Sequence, residues 1–339
     1  MPDLEQLSAV ARALVAPGKG ILAADESTPT IAKRFAGIGV ESTAALRRDY
    51  REMLFTTSGM AEHISGVILY DETLRQDGAD GTPLREVLAR QGVQPGIKVD
   101  TGAKALALHP GETVTEGLDG LRERLADYRA LGATFAKWRA VIRIGEGIPS
   151  AACLDANAHA LARYAALCQE AGLVPIVEPE VLMDGDHDLE TCEAVSTDTL
   201  AAVYDALHIQ EVALEGTLLK PSMTIAGADC PTQADVAEVA EATLRTLRRT
   251  VPAAVPGIVF LSGGQSAELA TAHLDAMNRR GPHPWELSFS YGRALQAPAL
   301  AAWAGRAENR PAGQSAFLKR ARCNGAARAG AWSAALETA

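Results

Sequence analysis

The sequence lacks most of the features that mark secreted, membrane or metal-binding proteins. Its five cysteines are odd in number and never form a C-x-x-C pair, which predicts free thiols in a reducing compartment and excludes a disulfide framework or a zinc site. No apolar run reaches about 18 residues, so we expect no transmembrane helix. The N-terminal residues mix acidic and basic side chains without an apolar core, so we expect no signal peptide and a cytoplasmic protein.

The chain also lacks a surplus of basic residues. Its 32 Lys and Arg residues against 42 Asp and Glu residues give a net charge of −10. A nucleic acid or an anionic membrane needs a basic protein face, so this balance argues against both as partners. A small anionic substrate is compatible with it, because a local cluster of cations can lie inside an acidic protein.

Three motifs that would indicate other functions are incomplete. Residues 261–265 read LSGGQ, a signature of transporter ATPases, but no G-x-x-x-x-G-K-[ST] loop accompanies them. The aspartates of residues 184–188 begin like a calcium loop, yet Leu189 and Val195 stand where that loop needs Gly and Glu. The seven histidines never occur as H-x-H, H-x-x-H or H-E-x-x-H, so we expect no metal site.

Eight short β-rich apolar runs alternate with helical patterns along the chain. Several runs are continuously apolar, which is typical of strands buried on both faces of a parallel sheet. Eight strand–helix units in 339 residues predict an α/β fold, a closed (β/α)8 TIM barrel in a single domain. The runs are residues 20–25, 66–71, 96–100, 135–141, 174–179, 217–222, 257–264 and 286–292.

The two ends of the chain are expected to lie apart from the barrel within that single domain, residues 1–339. Residues 1–19 predict a helix outside the barrel. Residues 306–339 are rich in Ala and contain Gly, which leaves little apolar area and predicts a flexible, loosely held C-terminal tail.

Charged and small polar residues interrupt or end the apolar runs. In a barrel the carboxyl ends of the strands meet on one face, where barrel enzymes carry their catalytic groups. Burying a charge is costly unless it meets a partner, so both signs on several strands predict a functional site, with buried ion pairs that only fill the barrel as the alternative. These residues are Asp25, Lys98, Asp100, Lys137, Arg139, Glu178, Glu180, Lys220, Ser262, Gly263, Gly264, Ser290, Tyr291, Gly292 and Arg293.

Lys220 is the most informative of them. It lies between two leucines and a proline, where burial disfavours the ammonium form, and Lys137 is the second cation that would favour a neutral amine further. A neutral amine on a rigid strand can form a Schiff base with a ketone, and the resulting iminium accepts the electrons of a neighbouring C–C bond as that bond breaks. Glu178 and Asp25 are the carboxylates expected to move protons in such a reaction.

The turn formed by Ser262, Gly263 and Gly264 predicts a phosphate site. Glycines allow backbone N–H groups to point at an anion, and barrel enzymes often hold phosphate after strands seven and eight. This turn ends the seventh run, and Arg293 follows the eighth, where its guanidinium can bind a phosphate through two hydrogen bonds.

At these positions the sequence resembles class I, Schiff-base fructose-bisphosphate aldolases from about residue 5 to about residue 310. The resemblance implies a (β/α)8 barrel, a homotetramer and no metal or organic cofactor. It also implies reversible cleavage of fructose 1,6-bisphosphate to dihydroxyacetone phosphate and glyceraldehyde 3-phosphate. The segments that carry it are ILAADEST, GIKVDTG, FAKWRAVIRIG, VPIVEPEVLMDGDHDL, LEGTLLKPSM, FLSGGQS and FSYGRALQ.

The resemblance further implies a role for each site residue. Lys220 matches the Schiff-base lysine, Asp25 the aspartate that assists C–C cleavage, and Lys137 an active-site lysine. Glu178 matches the acid/base glutamate, with Glu180 its neighbour. The residues that match phosphate-binding positions are Ser262, Gly263, Gly264 and Arg293 for the phosphate on C1, Ser27, Lys98 and Arg139 for the phosphate on C6, and Ser290 and Gly292 beside them.

Two departures from the family pattern accompany this match. Pro29 and Thr30 stand where the family often has Gly-Ser, which keeps a hydroxyl but stiffens the loop at the C6 phosphate. Animal and plant members end in a tyrosine that assists proton transfer to the enamine, whereas the last tyrosine here is Tyr291. We therefore expect another group to supply that proton.

Two alternative functions stay open at this point. A class I aldolase could prefer fructose 1-phosphate or sedoheptulose 1,7-bisphosphate, and the site residues do not separate these substrates. A non-catalytic scaffold on the same barrel would have lost the lysine or its acid/base partners, all of which are present in this sequence.

Overall fold

Eight parallel strands close into a barrel in the computed structural model, which describes residues 3–338. Each of the eight predicted runs supplies one barrel strand, so the predicted (β/α)8 fold is confirmed. Two further strands, β4 and β5 below, pair antiparallel outside the barrel. The strands are β1 (Gly20–Ala24), β2 (Ile64–Leu69), β3 (Gln94–Lys98), β4 (Gly102–Ala105), β5 (Thr113–Glu116), β6 (Phe135–Ile142), β7 (Val174–Val181), β8 (Leu218–Leu219), β9 (Gly257–Phe260) and β10 (Glu286–Tyr291).

Around the barrel the strands follow the order β1-β10-β9-β8-β7-β6-β3-β2, with helices in the connections. Among residues 3–338 no helix is long and apolar enough to cross a membrane. The helices are α1 (Leu4–Leu14), α2 (Thr28–Ala36), α3 (Ala44–Phe55), α4 (Asp71–Arg75), α5 (Leu84–Arg90), α6 (Leu121–Ala130), α7 (Ala151–Glu170), α8 (Leu189–Ile209), α9 (Val236–Thr250), α10 (Ala267–Asn278), α11 (Arg293–Trp303) and α12 (Arg310–Arg328).

The first helix closes the amino-terminal end of the barrel. Its apolar residues pack against side chains that fill the barrel interior. Glycines in the first half of two strands allow this close approach: a Cβ on Gly66 would lie 2.6 Å from Leu14, and a Cβ on Gly257 would lie 2.6 Å from Val15, the residue after the helix. Of the helix expected over residues 1–19, residues 1 and 2 lie outside the described part of the chain, and α1 ends at Leu14, five residues before the predicted end. It covers the end of the barrel that lies opposite the polar strand ends.

The C-terminal segment differs from the flexible tail predicted for residues 306–339. Helix α12 has 19 residues, and Phe317 and Arg320 on it are buried. Small residues permit the tight packing that composition alone did not indicate, since a Cβ on Gly313 would lie 2.5 Å from Met53. Beyond the helix, Glu337 lies 2.5 Å from Arg320. The prediction of a loosely held tail is wrong for residues 310–328, and Ala339 lies outside the described residues.

Candidate active site

The carboxyl ends of the barrel strands bring the predicted polar residues to one cleft of about 290 Å³. Parallel register sets Lys98 on β3 beside Lys137 on β6, and Arg139 beside Glu178 on β7. Lys220 directly follows β8, and its backbone N–H donates to the carbonyl of strand β7 at 2.8 Å. The cleft is lined by the predicted residues Asp25, Ser27, Lys98, Lys137, Arg139, Glu178, Glu180, Lys220, Ser262, Gly263, Ser290, Gly292 and Arg293, and also by Ala23, Glu26, Thr30, Arg34 and Leu261.

Lys137 stands at the centre of a buried charge cluster. Its Nζ lies 2.7 Å from Asp25 Oδ2 and 3.2 Å from Glu178 Oε2, and its side chain is only 4% exposed. Burial lowers the pKa of Lys137, but the neighbouring carboxylates raise it more, so its pKa lies above the ordinary value. Lys137 is therefore a fixed positive charge at the base of the cleft.

Glu178 connects Lys137 to Lys220. Its second oxygen, Oε1, lies 3.1 Å from Lys220 Nζ, and both side chains are 4% exposed. Burial raises the pKa of Glu178, but the charges of Lys137, Lys220 and Arg139 lower it more, so its pKa lies below the ordinary value. The amine of Lys220 thus faces an ionised carboxylate that can take a proton from it.

Asp25 and Asp100 complete the cluster. Burial raises the pKa of Asp25, and the charges of Lys137, Lys220 and Lys98 lower it well below the ordinary value. Asp100 is equally buried, with Oδ1 3.4 Å from Lys98 Nζ and Oδ2 accepting the backbone N–H of Arg139 at 3.3 Å. Asp100 does not line the cleft. Its contacts hold the ends of β3 and β6, which carry Lys98 and Arg139.

The mouth of the cleft carries two further cations. Arg139 pairs with Glu180 and is 41% exposed, and Lys98 is 19% exposed. Burial lowers the pKa of Arg139, and the charge of Glu180 raises it more, so its pKa lies above the ordinary value. Both side chains can therefore meet a charged ligand that extends toward solvent.

One end of the cleft is suited to an anion. Ser262 and Gly263 follow β9, and Gly263 adopts a left-handed backbone with φ of 54°. Arg293 begins α11 and donates to the Gly263 carbonyl, and Gly292 before it offers no side chain to cap the N–H groups of Arg293 and Ala294 that begin the helix. The buried Oγ of Ser290 has no hydrogen-bond partner among the described residues.

Gly264 is placed differently from the prediction. Its N–H donates to Met183 Sδ at 3.0 Å, and it lines an adjoining cleft instead of this one. A Cβ on Gly264 would lie 2.6 Å from the same sulfur, so the absence of a side chain serves packing against Met183. We therefore infer that Gly264 allows the turn to pack closely against Met183.

Two polar residues of the cleft, Glu26 and Arg34, were not predicted from the sequence, whereas the hydroxyl of Thr30 was expected near the C6 phosphate. Helix α2 begins after Ser27, whose Oγ lies 3.0 Å from Thr30 Oγ1. Ser27, Thr30 and Arg34 stand at i, i+3 and i+7, which places them on one face of that helix. This spacing could have indicated that Arg34 lies on the same side of the helix as Ser27. It points to the cleft only once α2 is known to follow a strand end in the site.

A (β/α)8 barrel with a buried lysine–carboxylate cluster beside an anion-binding end is typical of barrel enzymes that act on phosphorylated carbonyl compounds. The family model described as fructose-bisphosphate aldolase class-I matches residues 6–339. The chain belongs to this family of carbon–carbon lyases, and the predicted family is confirmed.

Individual relatives agree with this assignment. The chain is 60% identical to a probable fructose-bisphosphate aldolase class 1 of Xanthomonas campestris pv. campestris, over 97% of this chain and 99% of that protein. It is 56% identical to fructose-bisphosphate aldolase B of Mus musculus, over 94% of this chain and 88% of that protein. A solved structure of the Plasmodium falciparum aldolase, in complex with TRAP and a small-molecule inhibitor, matches with a TM-score of 0.96 and 48% identity, covering 97% of this chain and 96% of that one.

Proposed function

We propose that this protein cleaves fructose 1,6-bisphosphate reversibly to dihydroxyacetone phosphate and glyceraldehyde 3-phosphate through a Schiff base on Lys220. Membership of the class I family supports the reaction. The observation that carries the residue assignment is the contact between Lys220 Nζ and Glu178 Oε1 at 3.1 Å, with both groups almost fully buried. A carboxylate in contact with a buried amine can make that amine nucleophilic by removing its proton.

Schiff-base formation assigns Lys220 and Glu178 their steps. Glu178 takes one proton from the Lys220 ammonium, the freed amine attacks the C2 carbonyl carbon, and a proton passes from the nitrogen to the C2 oxygen to give the carbinolamine. Glu178 then returns a proton to the C2 hydroxyl, which leaves as water and gives the iminium. Lys137 stays protonated throughout and stabilises the carboxylates and the oxygen that gains negative charge.

Cleavage uses the opposite side of the cluster. Asp25 takes the proton of the C4 hydroxyl, the C3–C4 bond breaks, and its electron pair moves into the iminium to give an enamine. The aldehyde product leaves first. Protonation of the enamine at C3 and addition of water then release dihydroxyacetone phosphate and restore the Lys220 amine.

The two ends of the cleft account for the two phosphates. Ser262, Gly263, Ser290 and the first turn of α11 with Arg293 offer donors to the phosphate on C1. Ser27, Lys98 and Arg139 offer donors to the phosphate on C6, at the mouth of the cleft.

The proposal includes a homotetramer in the cytoplasm, on the strength of family membership. Light scattering coupled to size-exclusion chromatography should give four times the 35.6 kDa chain mass. A monomeric mass at micromolar concentration would contradict the tetramer without affecting the proposed chemistry.

Borohydride trapping tests the covalent step. Reduction in the presence of dihydroxyacetone phosphate should inactivate the enzyme and place the adduct on Lys220, and EDTA should leave activity intact. The Lys220→Met variant should give no adduct, while Lys19→Met, far from the cleft, should be trapped like the wild type. An adduct on Lys137 or Lys98 alone would contradict the assignment, and failure of any trapping would favour a non-catalytic scaffold.

Substrate choice needs a separate comparison. The values of kcat/KM for fructose 1,6-bisphosphate, fructose 1-phosphate and sedoheptulose 1,7-bisphosphate should be highest for the first. A higher value for either of the others would replace the proposed substrate and keep the Schiff-base chemistry.

A further inference from the structure

A second charge cluster lies at the edge of the cleft and is centred on Glu26, the residue after Asp25. Glu26 Oε2 lies 2.5 Å from Arg51 on α3. Its other oxygen, Oε1, accepts a hydrogen bond from Gln296 on α11 at 2.6 Å and pairs with Arg34 on α2. One carboxylate thus joins three helices where β1 and β10 close the barrel.

The charges of this cluster do not cancel. Burial raises the pKa of Glu26, but the charges of Arg51 and Arg34 lower it more, so its pKa lies below the ordinary value. Arg51 is 3% exposed and cannot reach a ligand, so its charge serves to neutralise Glu26. Arg34 is 23% exposed and lines the cleft. One positive charge therefore remains, and it is presented by the Arg34 guanidinium.

Gln296 fixes the oxygen that Arg34 contacts. Its Nε2 also donates to the Ala23 carbonyl at 2.7 Å, and its Oε1 accepts the hydroxyl of Tyr50 at 3.1 Å. The side chain is 1% exposed and lies one helical turn after Arg293. It therefore holds the first turn of α11 against the end of β1 and, through the shared carboxylate oxygen, against Arg34.

We propose that Glu26 and Gln296 are positioning residues that hold the Arg34 guanidinium toward the cleft, where it binds a phosphate of the substrate. The inference rests on the proposed function, because it requires a phosphorylated ligand. A free arginine side chain has many rotamers, and holding one of them before the ligand arrives lowers the entropy lost on binding. Glu26 and Gln296 themselves need not touch the substrate.

A double-mutant cycle tests the inference. Glu26→Gln should raise KM for fructose 1,6-bisphosphate about 10-fold and leave kcat within about threefold, because binding and not chemistry depends on Arg34. In the Arg34→Ala background the same change should alter KM by less than about twofold, since the residue it positions is gone. Glu86→Gln, which removes an exposed carboxylate from an ion pair with Arg90, is the matched control and should change neither constant.

Independent effects would overturn the inference. If Glu26→Gln and Arg34→Ala raise KM by factors that multiply in the double variant, or if Glu26→Gln lowers kcat with KM unchanged, Glu26 has only a structural role. Because Glu26→Gln leaves Arg51 buried without its carboxylate, Gln296→Met serves as a second variant that keeps every charge paired. It should raise KM about threefold, and it too should have no effect in the Arg34→Ala background.

The binding of a hexitol 1,6-bisphosphate separates this inference from the proposed function. The compound has no carbonyl and forms no Schiff base, so its Kd reports phosphate binding alone. A wild type that binds it but does not cleave fructose 1,6-bisphosphate would contradict the proposed function only. Unchanged Kd values in the Glu26→Gln and Gln296→Met variants would contradict the positioning role only.

Discussion

Replacing Glu178 by Gln removes a carboxylate that contacts both buried lysines, and the structure bounds the cost to stability. Breaking a buried ion pair destabilises a protein by about 3–5 kcal/mol, because an uncompensated charge stays behind. Lys137 keeps its contact with Asp25 at 2.7 Å, whereas Lys220 loses the carboxylate 3.1 Å away. One charge is left uncompensated, so we expect the lower end, about 3 kcal/mol.

The same substitution should cost more in activity. An amide still accepts a hydrogen bond but cannot take a proton from the Lys220 amine or return one to the C2 hydroxyl. General acid–base catalysis contributes about 10²–10⁴-fold, so kcat should fall roughly 1000-fold, or about 4 kcal/mol of barrier. Borohydride inactivation should slow in parallel, because carbinolamine dehydration precedes the trapped iminium.

Steady-state kinetics and urea unfolding of the same preparations provide the measurements. Glu170→Gln is the matched control: its ion pair with Arg122 is exposed and screened by solvent, so its loss should leave both the free energy of unfolding and kcat nearly unchanged. A Glu178→Gln variant that stays folded and keeps kcat within about tenfold of the wild type would refute the acid/base assignment. An unchanged free energy of unfolding would refute the view that the lysine pairs stabilise the cluster.

Two other predictions concern the ends of the cleft and of the chain. Arg293→Ala should raise KM for fructose 1,6-bisphosphate about 10-fold and should affect unphosphorylated fructose much less. Hydrogen bonds to charged groups contribute about 1.5–3 kcal/mol, and we expect the low end of that range because Arg293 is exposed. Equal effects on both sugars would mean that Arg293 holds the Gly263 turn and not the phosphate. Deleting residues 334–339 should change kcat by less than about threefold, because none of residues 334–338 lines the cleft. The same deletion should lower the melting temperature, because it removes the ion pair between Arg320 and Glu337. Detritiation of labelled dihydroxyacetone phosphate measures the step concerned, and slowing by about tenfold or more would show that the tail supplies a proton donor or a lid.

The barrel could be predicted because its signals are local. Continuous apolar runs such as residues 257–260 mark strands buried on both faces, and each needs only its own sequence to be recognised. The polar residues that end those runs, Lys220 and Glu178 among them, could be expected to converge because parallel strands share one carboxyl edge. Their convergence on one face of the barrel needed no information beyond the strand–helix alternation.

The structure alone decided what depends on contacts between distant segments. Ala and Gly in residues 306–339 suggested a loose tail, but the same small residues let α12 pack closely against the barrel helices. The contact between the Gly264 N–H and Met183 Sδ likewise joins segments that are 81 positions apart. Glu26 and Gln296 are 270 positions apart, and only closure of the barrel brings them together. The spacing of apolar residues along the sequence indicates the environment of one helix or strand. Side-chain contacts between distant segments depend on how several helices and strands pack together.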